Sequence, residues 1–177
     1  MRHVRRGGTY LRVCDATWAD CGNTDPSKRF GGRWNAPARF GMLYLCADLA
    51  VAAANARWIY ERDGRFTLFD RRPERRPHLQ EFAVRRSLFV DAVTQSGIAS
   101  LGLRPSYVFA RSYSRCREAG ARAYDAGELG IACRTAAEAT RSRWLGEELA
   151  IFDSARSLAV AGRRRRFADW YPLPHLR

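Results

Sequence analysis

Lysine is almost missing from this chain: Lys28 is the one lysine among 31 basic residues, and the other 30 are arginine. So lopsided a ratio reflects biased coding composition as much as selection for a ligand. Against 18 acidic residues it still leaves a formal charge of +13. The resulting field concentrates anions such as dinucleotides, phosphate, nucleic acid or an acidic partner, and charge alone does not choose among them. Histidine is scarce too. His3, His78 and His175 have no partner at metal-ligand or catalytic-triad spacing, so no metal site is expected. The five cysteines (Cys14, Cys21, Cys46, Cys116, Cys133) are odd in number and lack C-x-x-C spacing, which excludes a disulfide framework and a structural zinc site. No apolar run approaches the roughly 18–20 residues of a membrane span. The N-terminus, MRHVRRGGTY, is positive with no apolar region behind it, so it does not read as a secretory signal and a cytoplasmic location is expected. G-x-S-x-G, P-loop and G-x-G-x-x-G patterns are absent as well.

What the chain does have is core material. With 177 residues and 46% apolar content it fits one domain spanning 1–177. Short strand-like and helix-like segments alternate, which predicts an α+β fold: a single mixed sheet with flanking helices. Residues 9–14, 42–46, 65–70, 88–93, 129–133 and 149–152 read as strands, and RRPERRP between the third and fourth as a charged loop. Asp48 is a plausible N-cap for a helix over 49–60, with Leu49, Ala52, Ala53, Ala56, Ile59 and Tyr60 forming its apolar stripe. A second helix over 112–126 ends near Gly127. Cys46 and Cys133 read as buried thiols. Residues 158–177 read as a basic tail. There, Arg163–Arg166 beside Phe167, Trp170 and Tyr171 offer a phosphate-plus-stacking mode for nucleic acid, or a docking surface for an acidic partner. A solvated tail is the simpler reading, since no nucleic-acid reader motif is present.

Three constellations can carry chemistry. In Gly31-Gly32-Arg33-Trp34-Asn35-Ala36-Pro37 two glycines permit a tight turn and close approach to a ligand, and Arg33 offers a planar fork for phosphate. Trp34 supplies a wall for stacking or packing, and Asn35 can anchor its own loop. The plainer alternative is an ordinary Gly/Asn/Pro turn. Tyr44, on the strand leading into the helix, either lines a nucleotide cleft or is core. The run 130–136 delivers Arg134 and Thr135 at a strand end, where they touch a phosphate or ribose or simply open an ST-turn.

Together these residues resemble the RES family. Its pattern opens with an arginine–valine pair on the first strand, matched by Arg12-Val13. A G-G-R-[WF]-N turn follows, matched by Gly31 to Asn35, and then a Y-L-A strand, here Tyr44-Leu45-Cys46. A helix carries a glutamate, and a late G-I-x-x-x-S strand ends in a serine. The likeness spans about residues 9–153. It implies an ADP-ribosyltransferase-like fold and NAD as substrate, its nicotinamide–ribose bond broken by phosphate or water, or its ADP-ribose passed to a protein. It further implies a toxin restrained by a helix-turn-helix antitoxin. Carried over by position, Arg12 and Arg33 hold phosphates, Tyr44 lines the nicotinamide end, and Gly32, Trp34 and Asn35 complete the binding turn.

Two positions depart from that pattern. The serine falls on Thr135, which keeps the hydroxyl. The glutamate falls on Asn55, which keeps a hydrogen bond and loses the charge; losing one such electrostatic stabiliser typically costs on the order of 100- to 1000-fold in rate. Asn55 lies on the flank of the helix's apolar stripe, at about 100° from its centre, which suits either a cleft or solvent. Glu61 is on a different face, roughly 240° round from Asn55. Glu138, Glu147 and Glu148 follow the Thr135 strand, and one of them can reach the cleft and substitute for the missing carboxylate; nothing in the sequence selects one, and in so arginine-rich a chain surface carboxylates are the simpler reading. Catalysis with Asn55, Thr135 and Arg33 at the centre is thus one reading. The other is a catalytically impaired module that binds NAD, ADP-ribose or a partner protein.

Overall fold

Residues 1–61, 64–137 and 146–171 are described by the structure, a computed structural model. Six strands form one mixed sheet: β1 (His3–Cys14), β2 (Met42–Cys46), β3 (His78–Ala92), β4 (Gly130–Arg134), β5 (Glu147–Phe152) and β6 (Ala159–Arg165). Their order is β1-β2-β5-β4-β3-β6, and β1 also pairs with β3, so five strands close into a ring with β6 outside it against β3. Closure matters because an open sheet edge would leave backbone donors and acceptors unpaired. The link between β1 and β2 is the thin one, a single register at Leu11↔Cys46, whereas β1 and β3 pair along nearly their whole length. Among the described strands only β3 and β4 pair in parallel.

Helices α1 (Asp25–Phe30), α2 (Leu49–Tyr60), α3 (Gln95–Ser100), α4 (Ser114–Asp125) and α5 (Phe167–Trp170) flank this sheet. Strand alternation assigns their partners. On β2 and β5, Leu43, Leu45, Leu149 and Ile151 point into the ring with Phe82 and Phe89. Met42, Ala150 and Phe152 face outward, against Trp34, Ile98, Cys116 and Ala119 of the layer containing α3 and α4. A third cluster joins α2 and α5 through Val51, Ala52, Leu79, Phe167 and Trp170.

The expected α+β fold with a mixed sheet and flanking helices is what forms. Asp48 caps α2, its carboxylate accepting from the Val51 N–H at 2.9 Å. Gly127, at φ 73°, follows α4, and the Glu128 N–H returns to the Ala123 carbonyl at 3.1 Å. All five cysteines are free and buried. Three expectations are corrected. Residues 65–70 are not a strand: Asp70 draws back onto the Thr67 N–H and hydroxyl, and Leu68–Asp70 becomes a 3-10 turn. The segment at 88–93 is the end of a strand that begins at His78, immediately after the charged loop. The stripe of α2 is also shifted. Its buried residues are Val51, Ala52, Ala53, Ala54 and Ala56, while Leu49 and Ile59 are exposed, because the gap between helix and sheet admits only small side chains.

The described part of the basic tail is folded. Residues 159–165 are the sixth strand, and Phe167, Trp170 and Tyr171 are buried, with the Trp170 indole N–H donating to the Pro77 carbonyl at 3.2 Å. Arg164 hydrogen-bonds His78 and the Trp18 carbonyl, and Arg165 pairs with Glu81. The aromatic groups needed for base stacking are therefore committed to the core. Trp170→Ala should cost about 3–5 kcal/mol and lower the melting temperature on the order of 10 °C. A thermal melt that moved by less than about 2 °C would mean this segment is not part of the core.

Candidate functional site

The turn at 31–37 is built around Asn35. This fully buried side chain donates from Nδ2 to the Ser27 carbonyl at 2.7 Å and the Phe40 carbonyl at 3.0 Å, and its Oδ1 accepts from the Tyr44 hydroxyl at 3.0 Å. The Tyr44 oxygen in turn accepts from the Trp34 N–H at 3.2 Å. A Cβ on Gly32 would stand 2.5 Å from that hydroxyl, so only glycine fits. Gly31, at φ 72°, makes the preceding bend. Trp34 and Asn35 are both wholly enclosed. Trp34 therefore packs rather than stacks on a ligand, and Asn35 anchors its loop.

The tightened turn directs Arg33. Its guanidinium donates to the Tyr107 and Val108 carbonyls at 3.2 and 3.3 Å and lies over the Tyr113 ring, 4.8 Å from its centre. Tyr107, whose carbonyl it bonds, lines a cavity of about 520 Å³ between the 3-10 turn Pro105–Phe109 and the start of α4, together with Arg104, Ser106, Phe109 and Arg115 among others. Arg33 remains half-buried, as do Gly32, Tyr44 and Asn55.

Register brings the other polar groups together. Cys46 of β2, Glu148 of β5 and Cys133 of β4 are aligned across the ladder, on the face that carries Tyr44. Asn55, from α2, donates its Nδ2 to Glu148 Oε1 at 2.5 Å and to the Cys46 sulfur at 3.3 Å. Thr135, just past β4, donates its hydroxyl to the same Glu148 oxygen at 3.2 Å and accepts from the Ala137 N–H at 3.2 Å, an ST-turn. Thr135 is completely buried, so its hydroxyl reaches a ligand only through Glu148. Arg134 turns to the opposite side and bonds the Val93 carbonyl at 2.8 Å.

Not every candidate converges. Arg12 is buried on β1, where its guanidinium donates to the Asn23 carbonyl at 3.4 Å and lies over Trp18. It makes no hydrogen bond to Asn55, Thr135 or Glu148 among the described residues. Glu148, conversely, was not singled out by the sequence. The signal was there in the Glu147-Glu148 pair opening β5: alternation puts one glutamate on each face. Glu147 pairs with Arg6 at 2.9 Å, leaving Glu148 for the Tyr44 face. Glu138 lies outside the described residues, and Glu61 accepts the Leu68 N–H at 2.8 Å, away from this centre. Among the described residues no group of three or more His, Cys, Asp and Glu side chains could hold a metal ion.

A family model, described as the RES domain, matches residues 8–172. The chain belongs to the RES domain family. Among solved structures, this RES domain is similar to one from M. tuberculosis, the crystal structure of the MbcT-MbcA toxin-antitoxin complex, with a TM-score of 0.78 at 18% identity, over 93% of this chain and 86% of that one. At that identity the likeness speaks for the fold. No curated protein matches the chain. Among the described residues no helix is long and apolar enough to cross a membrane.

Burial raises the pKa of the Glu148 carboxyl, against the opposing pull of the Asn55 amide, the Arg33 charge and the Thr135 hydroxyl. A carboxyl whose pKa is higher in the folded chain binds more protons folded than unfolded, so stability falls as pH climbs through that window and the loss persists above it. Glu148→Gln removes the penalty. The variant should melt above wild type at neutral pH, and the advantage should vanish below about pH 4, where both states are protonated. A variant that melts lower than wild type at neutral pH would show that the three partners outweigh burial.

Proposed function

We propose that this RES domain consumes NAD by breaking its nicotinamide–ribose bond, and that it does so as a toxin held in check by an antitoxin. The observation that carries the reading is convergence. Arg33 from a turn, Tyr44 from the middle of β2, Asn55 from a helix and Thr135 from the end of β4 gather around one carboxylate on the face of a closed sheet. Such a group of a fixed cation, a fixed carboxylate and aromatic walls suits a substrate that is anionic at its pyrophosphate and turns cationic at its ribose as the bond breaks.

In this scheme the pyrophosphate is held near Arg33, whose fork is preset by two backbone carbonyls and the Tyr113 ring. The carbon–nitrogen bond of the nicotinamide riboside breaks, and its electron pair neutralises the pyridinium as nicotinamide leaves. The ribose carbon then takes an oxygen from water, which releases a proton and gives ADP-ribose, or from phosphate, which gives the ADP-ribosyl phosphate. Positioning and electrostatics supply the acceleration, and no residue need form a covalent bond. Gly32 makes room for the Tyr44 hydroxyl beside the turn, while Trp34 and Asn35 hold that turn in shape. Arg12, tied to the loop after β1, contributes only positive charge at a distance. The ADP-ribosyltransferase-like character of the fold is part of this proposal. So is the antitoxin partner, supported by the solved toxin-antitoxin complex that the chain resembles.

Incubating the purified chain with NAD, with and without phosphate, should release nicotinamide. Arg33→Ala should reduce kcat/KM on the order of 100-fold or more. Wild type that releases no more nicotinamide than Arg33→Ala would refute the reading.

A further inference from the structure

We propose that Glu148, on β5, is the catalytic carboxylate of this chain, and that Asn55, on α2, is a positioning residue that holds it. The inference rests on the NAD-cleaving reading above and deepens it by naming the group that carries the charge. Breaking the nicotinamide–ribose bond leaves positive charge on the ribose, and a neutral amide gives that charge little support. Asn55 and Thr135 are both neutral, and Thr135 is sealed from the surface. Glu148 is the carboxylate they hold.

How it is held supports this assignment. Both hydrogen bonds, from Asn55 Nδ2 and from Thr135 Oγ1, fall on Oε1. Among the described residues Oε2 receives none. One oxygen is thus fixed by the protein and the other left for a ribose hydroxyl or the developing cation, without reorganisation at the moment of reaction. The supports come from separate elements, a helix and a strand end, so the carboxylate is braced from two directions. Cys46 and Cys133 flank it across the ladder, both buried, and burial pushes both thiols well up. They remain neutral beside it and bring no competing negative charge. Arg33 supplies the nearby positive charge that favours the ionised form.

The side chains of positions 55 and 148 meet end to end at 2.5 Å. A carboxylate offered from either position therefore delivers its charge to nearly the same point, and an amide at the other can hold it. Placing carboxylates at both would press two like charges together.

The test is steady-state nicotinamide release by the full chain. Glu148→Gln should lose about 100- to 1000-fold in kcat with KM for NAD changed by less than about threefold, since the group acts on the transition state rather than on binding. Adding Asn55→Glu to Glu148→Gln should recover at least about tenfold of the loss. Asn55→Glu alone should lower kcat. Glu147→Gln, on the opposite face, should leave it unchanged. A Glu148→Gln variant whose kcat stays within about threefold of wild type would overturn the assignment while leaving NAD cleavage standing. A loss seen only in KM would overturn it too. Wild type that releases no nicotinamide would overturn the NAD reading itself, and this inference with it. Should Glu148→Gln fail to fold, the wild-type pH profile decides. The groups facing Glu148 are Arg33, Tyr44, Cys46, Cys133, Asn55 and Thr135, and burial raises Tyr44 and both thiols, so none of these titrates on the acid side. The kcat of wild type should then fall on acidification with an apparent pKa above that of an ordinary carboxylate; a flat acid limb would refute the assignment.

Discussion

A single buried amide holds the site's geometry together. Asn35 bonds two carbonyls from either side of its own turn and one hydroxyl from the neighbouring strand, using both ends of its side chain. Those bonds join α1, the loop before β2 and the middle of β2. Without them the Ser27 carbonyl would keep only the Gly31 N–H, and the Phe40 carbonyl would be left inside the protein without a donor among the described residues, which is costly in a low-dielectric interior. Because Asn35 pins the Tyr44 hydroxyl, and that hydroxyl receives the Trp34 N–H, the residue between the glycines and the tryptophan has little freedom left. Arg33 points where it does because its neighbours cannot move. The glycine at 32 belongs to the same constraint, since the tyrosine oxygen occupies the space a side chain would need.

Legibility in the sequence followed the distance over which each feature is determined. The GGRWN turn, the Asp48 cap and the glycine ending α4 are local: a few adjacent residues fix each backbone path, and all three stand as read. The 65–70 segment misled because RFTLFD has strand-forming composition, while a single Asp70 carboxylate, satisfying the Thr67 N–H, bends it into a turn. The stripe of α2 was misplaced for a packing reason. Hydrophobicity ranks Leu49 and Ile59 above Ala54, but a helix lying close on a sheet selects for size, and the larger residues go to its margins. Four consecutive arginines suggest solvent, whereas pairing of β6 with β3 gives the middle two, Arg164 and Arg165, internal partners and leaves Arg163 and Arg166 exposed.

Glu148 shows where a sequence reading ends. It is 93 residues from Asn55 and 13 from Thr135, and only the registers of β2, β4 and β5 bring the three together. A helix position empty of charge is visible in the sequence, and so is a glutamate pair with one member on each face of a strand; that the two meet is visible only once the ladder is assembled. The lesson is about which position to compare. Matching a family pattern residue by residue asks whether a side chain type is present at one place in the chain, while the chemistry asks whether a charge is present at one place in space.

The surrounding charge completes the argument. A chain of net charge +13 surrounds its carboxylates with a positive field. Burial works the other way on Glu148, and the protein opposes it with an amide and a hydroxyl on one oxygen and with the charge of the Arg33 guanidinium. A carboxylate kept for structure alone would be cheaper to replace with an apolar side chain of similar size, as its neighbours Leu149 and Ala150 illustrate on the same strand. Maintaining a partly desolvated anion on a central strand, with one oxygen braced and the other unclaimed among the described residues, is what a site needs when positive charge must appear beside it and then disappear. The same arrangement accounts for the neutrality of position 55: with the charge already delivered from β5, a second carboxylate on α2 would repel it, and an amide is the group that can still donate.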